Sequence, residues 1–550
     1  MKRPARMLPA LLLATLATPA AAQTATPSSG SPQSTTLRGG PKLIVAISVD
    51  QLSADLFAQH RNRFTGGFAR LLNGAVFPSA YQSHAATETC PGHSTILTGA
   101  RPAKTGIIAN TWIDQRAPRA DKQVYCAEDE RVPGSTSKAY TASDVHLKVP
   151  TLGERMKAAD PASRVVAVAG KDRAAIMMAG RRADEIWWWN GKTYATYADR
   201  AEPGAVTRGK AAVAALIARP QEALPLPGWC ASSDRPITVG AQTLGQGRFA
   251  REAGDAAAFR ASPVSDAAVL GIAAGLIQDM QLGKRAAPDL IAVGLSATDY
   301  IGHATGTQGA EMCIQMAELD RALGDFFAVL DSYAIDYQVM LTADHGAHDM
   351  TERHVQRAMP MAAHVAPELQ AKRIGAAIGQ ALGVAGPVLL GSEADIYVDR
   401  DLPAPTRARV LAEAKRRYSA MPQVAAALTR AEVAATPVPT SPPETWTLAE
   451  RARASFDAER SGDLLVMLKP RVTTIEVPGP GYVETHGSPW DYDRRVPLLF
   501  WRKGMTGFEQ PLSVETVDIA PTLGAMLGVE TPEVDGRCLD LDPGAGTTCR

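Results

Sequence analysis

Leu43-Ile44-Val45-Ala46-Ile47-Ser48-Val49-Asp50 is a nearly unbroken apolar run that ends on an acid. A short run of this kind, without polar alternation, suits a strand buried on both faces, as in a parallel sheet covered by helices. The arrangement recurs along the chain. Val165-Val166-Ala167-Val168-Ala169-Gly170 runs into Lys171, Leu290-Ile291-Ala292-Val293-Gly294-Leu295 leads to Asp299, and Tyr337-Gln338-Val339-Met340-Leu341 leads to Asp344-His345. In open α/β sheets, ligand sites collect at the carboxyl ends of such strands. The pattern therefore predicts an α/β fold, a three-layer αβα sandwich around a mostly parallel central sheet, with charged residues from distant segments meeting in one crevice.

Taken singly, each of these residues has an ordinary explanation. A lone Asp after a strand is by default a turn or N-cap residue. Asp344-His345-Gly346 is stronger, because the glycine frees the backbone for a tight turn. Asp299 and His303 stand four residues apart, a spacing that brings a carboxylate and an imidazole together on one helical turn. His486, in Thr485-His486-Gly487, reads alone as a loop histidine. Together these residues make a mixed imidazole and carboxylate set, which suits zinc first, with manganese and iron as alternatives; calcium would take nearly all oxygen ligands.

In order along the chain, Asp50, Thr89-Cys90-Pro91-Gly92-His93, Asn110, Lys171-Asp172-Arg173, Asp299 with His303, Asp344-His345-Gly346 and Thr485-His486-Gly487 resemble the alkaline phosphatase superfamily. The likeness is to its phosphate-irrepressible, PafA-like bacterial members, and it runs from about residue 42 to about 530. It implies two zinc ions, one held by Asp299, His303 and His486, the other by Asp50, Asp344, His345 and the Thr89 oxygen. It also implies that Thr89 is the nucleophile, forming a phospho-threonine that water then cleaves, and that Asn110, Lys171 and Arg173 bind the phosphate. The implied substrates are small-molecule phosphate monoesters.

The residues themselves bear on these roles. Thr89 in a Gly/Pro-containing loop is by default a turn residue and unaided a poor nucleophile. The segment that follows reads as a loop entering a helix, whose N-terminus favours anionic phosphate. His93 reads as packing near the site rather than as a direct ligand. Alternation in Lys171-Asp172-Arg173 puts both cations on one face if the chain stays extended. A guanidinium fork and an ammonium suit a phosphomonoester dianion, which favours a monoesterase over the related nucleotide pyrophosphatase/phosphodiesterases. Sulfatases of the superfamily carry an arginine where this chain has His93. The alternative outside enzymes is a periplasmic phosphate- or metal-binding protein.

At 550 residues and 45% hydrophobic content the chain is long enough for a large core. Its 57 basic and 57 acidic residues balance, which gives no sign of nucleic-acid or polybasic membrane binding. Residues 1–22, basic and then apolar with Ala20-Ala21-Ala22 at the end, read as a secretory signal peptide. The apolar stretch is well short of the roughly 20 residues of a spanning helix. Residues 23–40, rich in Ser, Thr, Pro and Gly, read as a flexible tether, and 41–550 as the catalytic domain. We expect a periplasmic or secreted monomer.

Six cysteines permit disulfides in that setting, with Cys538–Cys549 the first expectation and Cys90 either bridged or a buried thiol. Two insertions are expected. The first, about 181–262, carries Trp187-Trp188-Trp189 and reads as a cap in which the tryptophans pack, or one of them lines the substrate entrance. The second, about 365–480, opens with helical apolar spacing at Ile374, Ile378 and Leu382.

Overall fold

The computed structural model describes residues 39–198, 200–391, 394–544 and 546–549. The leader expected at 1–22, and all but the last two residues of the tether expected at 23–40, lie outside them. The main sheet runs, from edge to edge, through Phe508–Glu509, Ala75–Tyr81, Arg495–Arg502, Tyr337–Thr342, Leu43–Val49, Asp289–Leu295, Val165–Ala169, Glu185–Trp189 and Tyr194–Ala195. Its centre is parallel: Leu43–Val49 pairs in parallel with strands on both sides, and Val165–Ala169 lies in parallel beyond Asp289–Leu295. Arg495–Arg502 runs antiparallel to both of its neighbours, so the sheet is mixed at that side.

All seven residues of Leu43–Val49 are buried, as are all seven of Asp289–Leu295 and all five of Val165–Ala169. Burying each Val, Leu or Ile side chain contributes roughly 1.5–3 kcal/mol. Long helices, Pro263–Asp279 and Ala310–Ser332 among them, pack against one another and cover the sheet. Register then decides the site. Val49 pairs with Leu295 and Ser48 with Thr342, so Asp50, the helix bearing Asp299, and the loop bearing Asp344 all leave the sheet at the same end.

One boundary moves. Glu185–Trp189 and Tyr194–Ala195 belong to the main sheet, so the first insertion starts later than residue 181. Trp187, Trp188 and Trp189 are all buried, on a strand held between Val165–Ala169 and Tyr194–Ala195, and all three pack in the core, the first of the two readings, none lining an entrance. The rest of that segment includes the helix Gly204–Ile217, which packs on Pro263–Asp279. It is tied down by a Cys230–Cys313 disulfide with a Cα–Cα distance of 5.8 Å.

Between 365 and 480 the chain forms the helix Ala371–Leu382 and a separate four-stranded sheet, with an apolar core that includes Ile374, Ile378, Val410, Tyr418 and Leu464. Cys538 and Cys549 are bridged, and Cys90 is bridged to Cys126. No helix among the described residues is long and apolar enough to cross a membrane.

Candidate active site

Thr89 is the first residue of the helix Thr89–Ile96, which is buried along its whole length. The helix can lie this deep because of Gly92, where a Cβ would fall 1.9 Å from the Asp344 carbonyl oxygen. Gly346 serves the same purpose: its Cβ would fall 2.3 Å from the Tyr492 carbonyl oxygen. The glycine after Asp344-His345 therefore permits close approach of backbone, not a left-handed turn. The residue after Asp50 does adopt one, since Gln51 has φ 67°. Its backbone N–H donates to Asp344 Oδ1 at 3.2 Å and its side chain to Glu484 Oε2 at 3.0 Å, contacts that hold a strained residue in place.

The structure gathers six of the seven residues singled out as ligands, all but Thr89, into two adjoining groups. In one, His345 Nε2 lies 3.4 Å from Asp50 Oδ1 and 3.3 Å from Asp344 Oδ2. In the other, Asp299 Oδ1 lies 3.3 Å from both His303 Nε2 and His486 Nε2. Asp299 and His303 share the helix Ala297–Thr305, as their spacing predicts. The His345 and His486 rings stack at 3.6 Å, so His345 Nε2 is also within reach of the Asp299 and His486 ligand atoms.

The three imidazoles are oriented alike. Nδ1 of His303 contacts the Glu484 carbonyl at 2.8 Å, that of His345 the Gly346 carbonyl at 3.0 Å, and that of His486 the Thr87 carbonyl at 2.9 Å. A carbonyl only accepts, so each Nδ1 carries the proton; burial lowers His345 and His486, which keep an Nε2 lone pair toward the carboxylates, whereas on His303 burial is outweighed by Asp299 and the ring is raised to about 9. Histidines that bind metals are fixed in this manner. Asp50 Oδ1, Asp299 Oδ1, Asp344 Oδ2 and His345 Nε2 are buried without a hydrogen-bond donor. Three almost fully buried aspartates and converging imidazoles form a donor set that fits divalent cations: Asp50, Asp344 and His345 make one cluster, and Asp299, His345 and His486 a second, with His303 against Asp299 beside it.

Electrostatics within the protein point the same way. Burial, and then Asp299 and Asp344, push the Asp50 carboxyl well above its ordinary range. Burial acts on Asp299 too, but His303 and Lys171 outweigh it and hold that carboxyl low. Burial lowers His345 to about 3, keeping its ring neutral. Lys171 Nζ lies 2.7 Å from Asp50 Oδ2 and 2.5 Å from Asp299 Oδ2, a single ammonium between two carboxylates.

The phosphate-binding candidates surround the same threonine. Arg173 Nη2 is 3.4 Å from Thr89 Oγ1, and the Asn110 side-chain carbonyl accepts from Cys90 N at 2.8 Å. Lys171 and Arg173 do not lie on an extended strand. The helix Asp172–Ala179 begins between them, and its first turn aims Arg173 at Thr89 while Lys171 caps it from outside.

Sequence reasoning missed what holds Arg173 in place. Tyr125 OH donates to Asp172 Oδ1 at 2.7 Å and accepts from Arg173 Nη1 at 3.5 Å, and Tyr140 OH donates to Asp172 Oδ2 at 2.6 Å. The Cys90–Cys126 disulfide joins the residue after Thr89 to the residue after Tyr125. His93 lies at the back of the site, Nδ1 3.1 Å from Asp344 Oδ2 and 2.9 Å from the Thr89 carbonyl oxygen. A cavity of about 510 Å³ opens beside the site toward the four-stranded sheet, with Glu88, Thr485 and His486 on its wall.

The type I phosphodiesterase / nucleotide pyrophosphatase family matches residues 44–489. Alkaline phosphatase PhoK of a Sphingomonas species is 57% identical over 517 residues, covering 92% of each chain. Alkaline phosphatase PhoD of Zymomonas mobilis is 49% identical, over 93% of this chain and 90% of that one. The crystal structure of alkaline phosphatase PafA superimposes with a TM-score of 0.79 at 25% identity, covering 91% of this chain and 98% of the other. The chain therefore belongs to the type I phosphodiesterase / nucleotide pyrophosphatase family, among relatives named as alkaline phosphatases.

Proposed function

We propose that the protein is an alkaline phosphatase that hydrolyses phosphate monoesters through a covalent intermediate on Thr89. The observation that carries the proposal is the position of Thr89 Oγ1, at the start of a buried helix and 3.4 Å from Arg173, with His93 of the same helix 3.1 Å from Asp344. Asp50, Asp344 and His345, with the Thr89 oxygen, would hold one zinc ion, and Asp299, His303 and His486 a second. When bound, such a pair of cations supplies Lewis-acid stabilisation of the entering and leaving oxygens.

The chain's own groups do the rest. Thr89 Oγ loses its proton and bonds to phosphorus as the ester P–O bond breaks, and the leaving oxygen departs as the alcohol. Water then adds to the phospho-threonine, releasing inorganic phosphate and restoring the hydroxyl. The Thr89–Ile96 helix N-terminus and the Arg173 fork favour the anion. The Asn110 carbonyl is already occupied by Cys90 N, so Asn110 meets a phosphate oxygen with its NH₂ group. Lys171 rides on a flexible stem and turns to the phosphate once Asp50 and Asp299 are otherwise neutralised.

Three oxygens of a monoester are free to take these donors, whereas a diester replaces one with a second ester group. This supports monoesterase activity over the diesterase chemistry in the family's description. Three disulfides, with the leader expected from the sequence of residues 1–22, support a periplasmic or secreted location. The test is the rate on p-nitrophenyl phosphate beside bis-p-nitrophenyl phosphate, as purified, chelated, and restored with zinc. The expected result is a faster monoester rate that vanishes on chelation and returns with zinc. A faster diester rate moves the protein to the phosphodiesterases, and no turnover in any state would make it a binding protein.

A further inference from the structure

We propose that Arg260 is a specificity-determining residue that binds a second phosphate group carried by the leaving part of the substrate; this deepens, and rests on, the phosphomonoesterase reading. Arg260 ends the short helix Ala256–Arg260, and its Cζ lies 4.5 Å from the centroid of the Tyr300 ring. Lys171 Nζ lies 5.0 Å from the same centroid, so the two cations are no further apart than those two distances together. Tyr300 directly follows Asp299, which places Arg260 at the edge of the site on the side of the second ligand group.

Arg260 differs from the exposed Arg219 and Arg235 in being half-buried, and from four other nearby arginines in its partners. Arg208 pairs with Asp279 and Arg248 with Asp234, while Arg200 and Arg251 donate to backbone carbonyls. Arg260 is half-buried and, among the described residues, its guanidinium has no carboxylate or carbonyl partner; its Nε is buried without an acceptor. The cation–π contact with the tyrosine holds the guanidinium in place. It leaves the outer N–H groups for an anion, and a planar fork takes a phosphate through two bonds at once.

The number of donors gives the substrate class. One phosphate would already be served by Arg173, Lys171, Asn110 and the two cations proposed for the ligand groups, so a third basic side chain beside them is surplus to a simple monoester. A substrate with a second phosphate within reach, such as a nucleoside diphosphate or a sugar bisphosphate, uses it.

The experiment compares kcat/KM on p-nitrophenyl phosphate, ADP and a hexose 1,6-bisphosphate for the zinc-loaded wild type, R260A and R260K. In R260A the ratio of either two-phosphate substrate to p-nitrophenyl phosphate is expected to fall about tenfold or more, mainly through KM, with R260K recovering part of it. Equal losses on all three substrates, or no loss on the two-phosphate pair, would overturn the proposal in favour of simple packing. If the wild type fails on p-nitrophenyl phosphate, the phosphatase reading falls separately. Calorimetry then still decides the role of Arg260: pyrophosphate must bind more tightly than phosphate in wild type and lose that margin in R260A, and an unchanged margin sinks the proposal.

Discussion

The two ligand groups are built differently. Asp50, Asp344 and His345 come from the ends of adjacent central strands and are all but inaccessible, at 1%, 0% and 0% exposure. Asp299, His303 and His486 come from one helical turn and a distant loop, and the His303 side chain is 18% exposed. The first group is held by the sheet itself. Asp344 Oδ1 accepts from the backbone N–H of Gln51 and of His345, and Asp344 Oδ2 lies against His93. The second depends on Val483 and Glu484, whose N–H groups reach the His303 carbonyl, and on Glu484 behind it. The contrast suggests a division of labour in which the closed group orders the nucleophile, and the open group meets the leaving oxygen and the water that follows.

Substitutions at the two groups test that contrast, and the largest effect belongs to the closed one. Asp344→Ala removes the acceptor for two N–H groups and the carboxylate that faces His93 and His345. Breaking a buried ionic cluster costs roughly 3–5 kcal/mol, so we expect a lower melting temperature together with loss of turnover. His303→Ala at the open group should lose one equivalent of metal by elemental analysis while the melting temperature changes far less. Equal thermal losses in the two variants would erase the distinction.

A timed chelation sharpens the comparison. The more accessible group should release its metal first, so metal loss followed by elemental analysis is expected in two phases, and His303→Ala should lack the fast one. A single phase in the wild type would mean that the groups are equivalent.

Arg173 belongs to the Thr89 side. Arg173→Ala should lower monoester kcat/KM by roughly 10²–10³, the range for removing a donor aimed at developing charge, and diester kcat/KM by less. Parallel losses on the two substrates would detach Arg173 from the choice of ester. The smallest effect is expected from Tyr125→Phe, which removes one bond to Asp172 and one to Arg173. A lost buried hydrogen bond of this kind costs about 1–3 kcal/mol, read here as about a tenfold fall in monoester kcat/KM with little change in diester rate. No fall would mean that Asp172 and the helix position Arg173 without Tyr125.

The chain showed its site because the site sits where buried strands end. Apolar runs before Asp50, Lys171, Asp299 and Asp344 mark both the strands and the crevice, and the four-residue spacing of Asp299 and His303 marks the helix. What stayed hidden has no local pattern. Tyr125 meets Asp172 from 47 residues away, and Glu484 meets Gln51 from 433, so neither pairing leaves a periodic trace. The tryptophan run packs as read, but its sequence reads as part of a cap because a buried strand near the sheet edge carries the same residues. Lys171-Asp172-Arg173 misled because its alternation assumes a strand, whereas a helix starts at Asp172.

The most direct test of the account is to quench the zinc-loaded enzyme with acid during turnover of p-nitrophenyl phosphate and map phosphorylated peptides by mass spectrometry. The account predicts one added phosphoryl group on the peptide containing Thr89-Cys90-Pro91, absent in Thr89→Ala. A phosphoryl group on another residue, or undiminished turnover in Thr89→Ala, would contradict it.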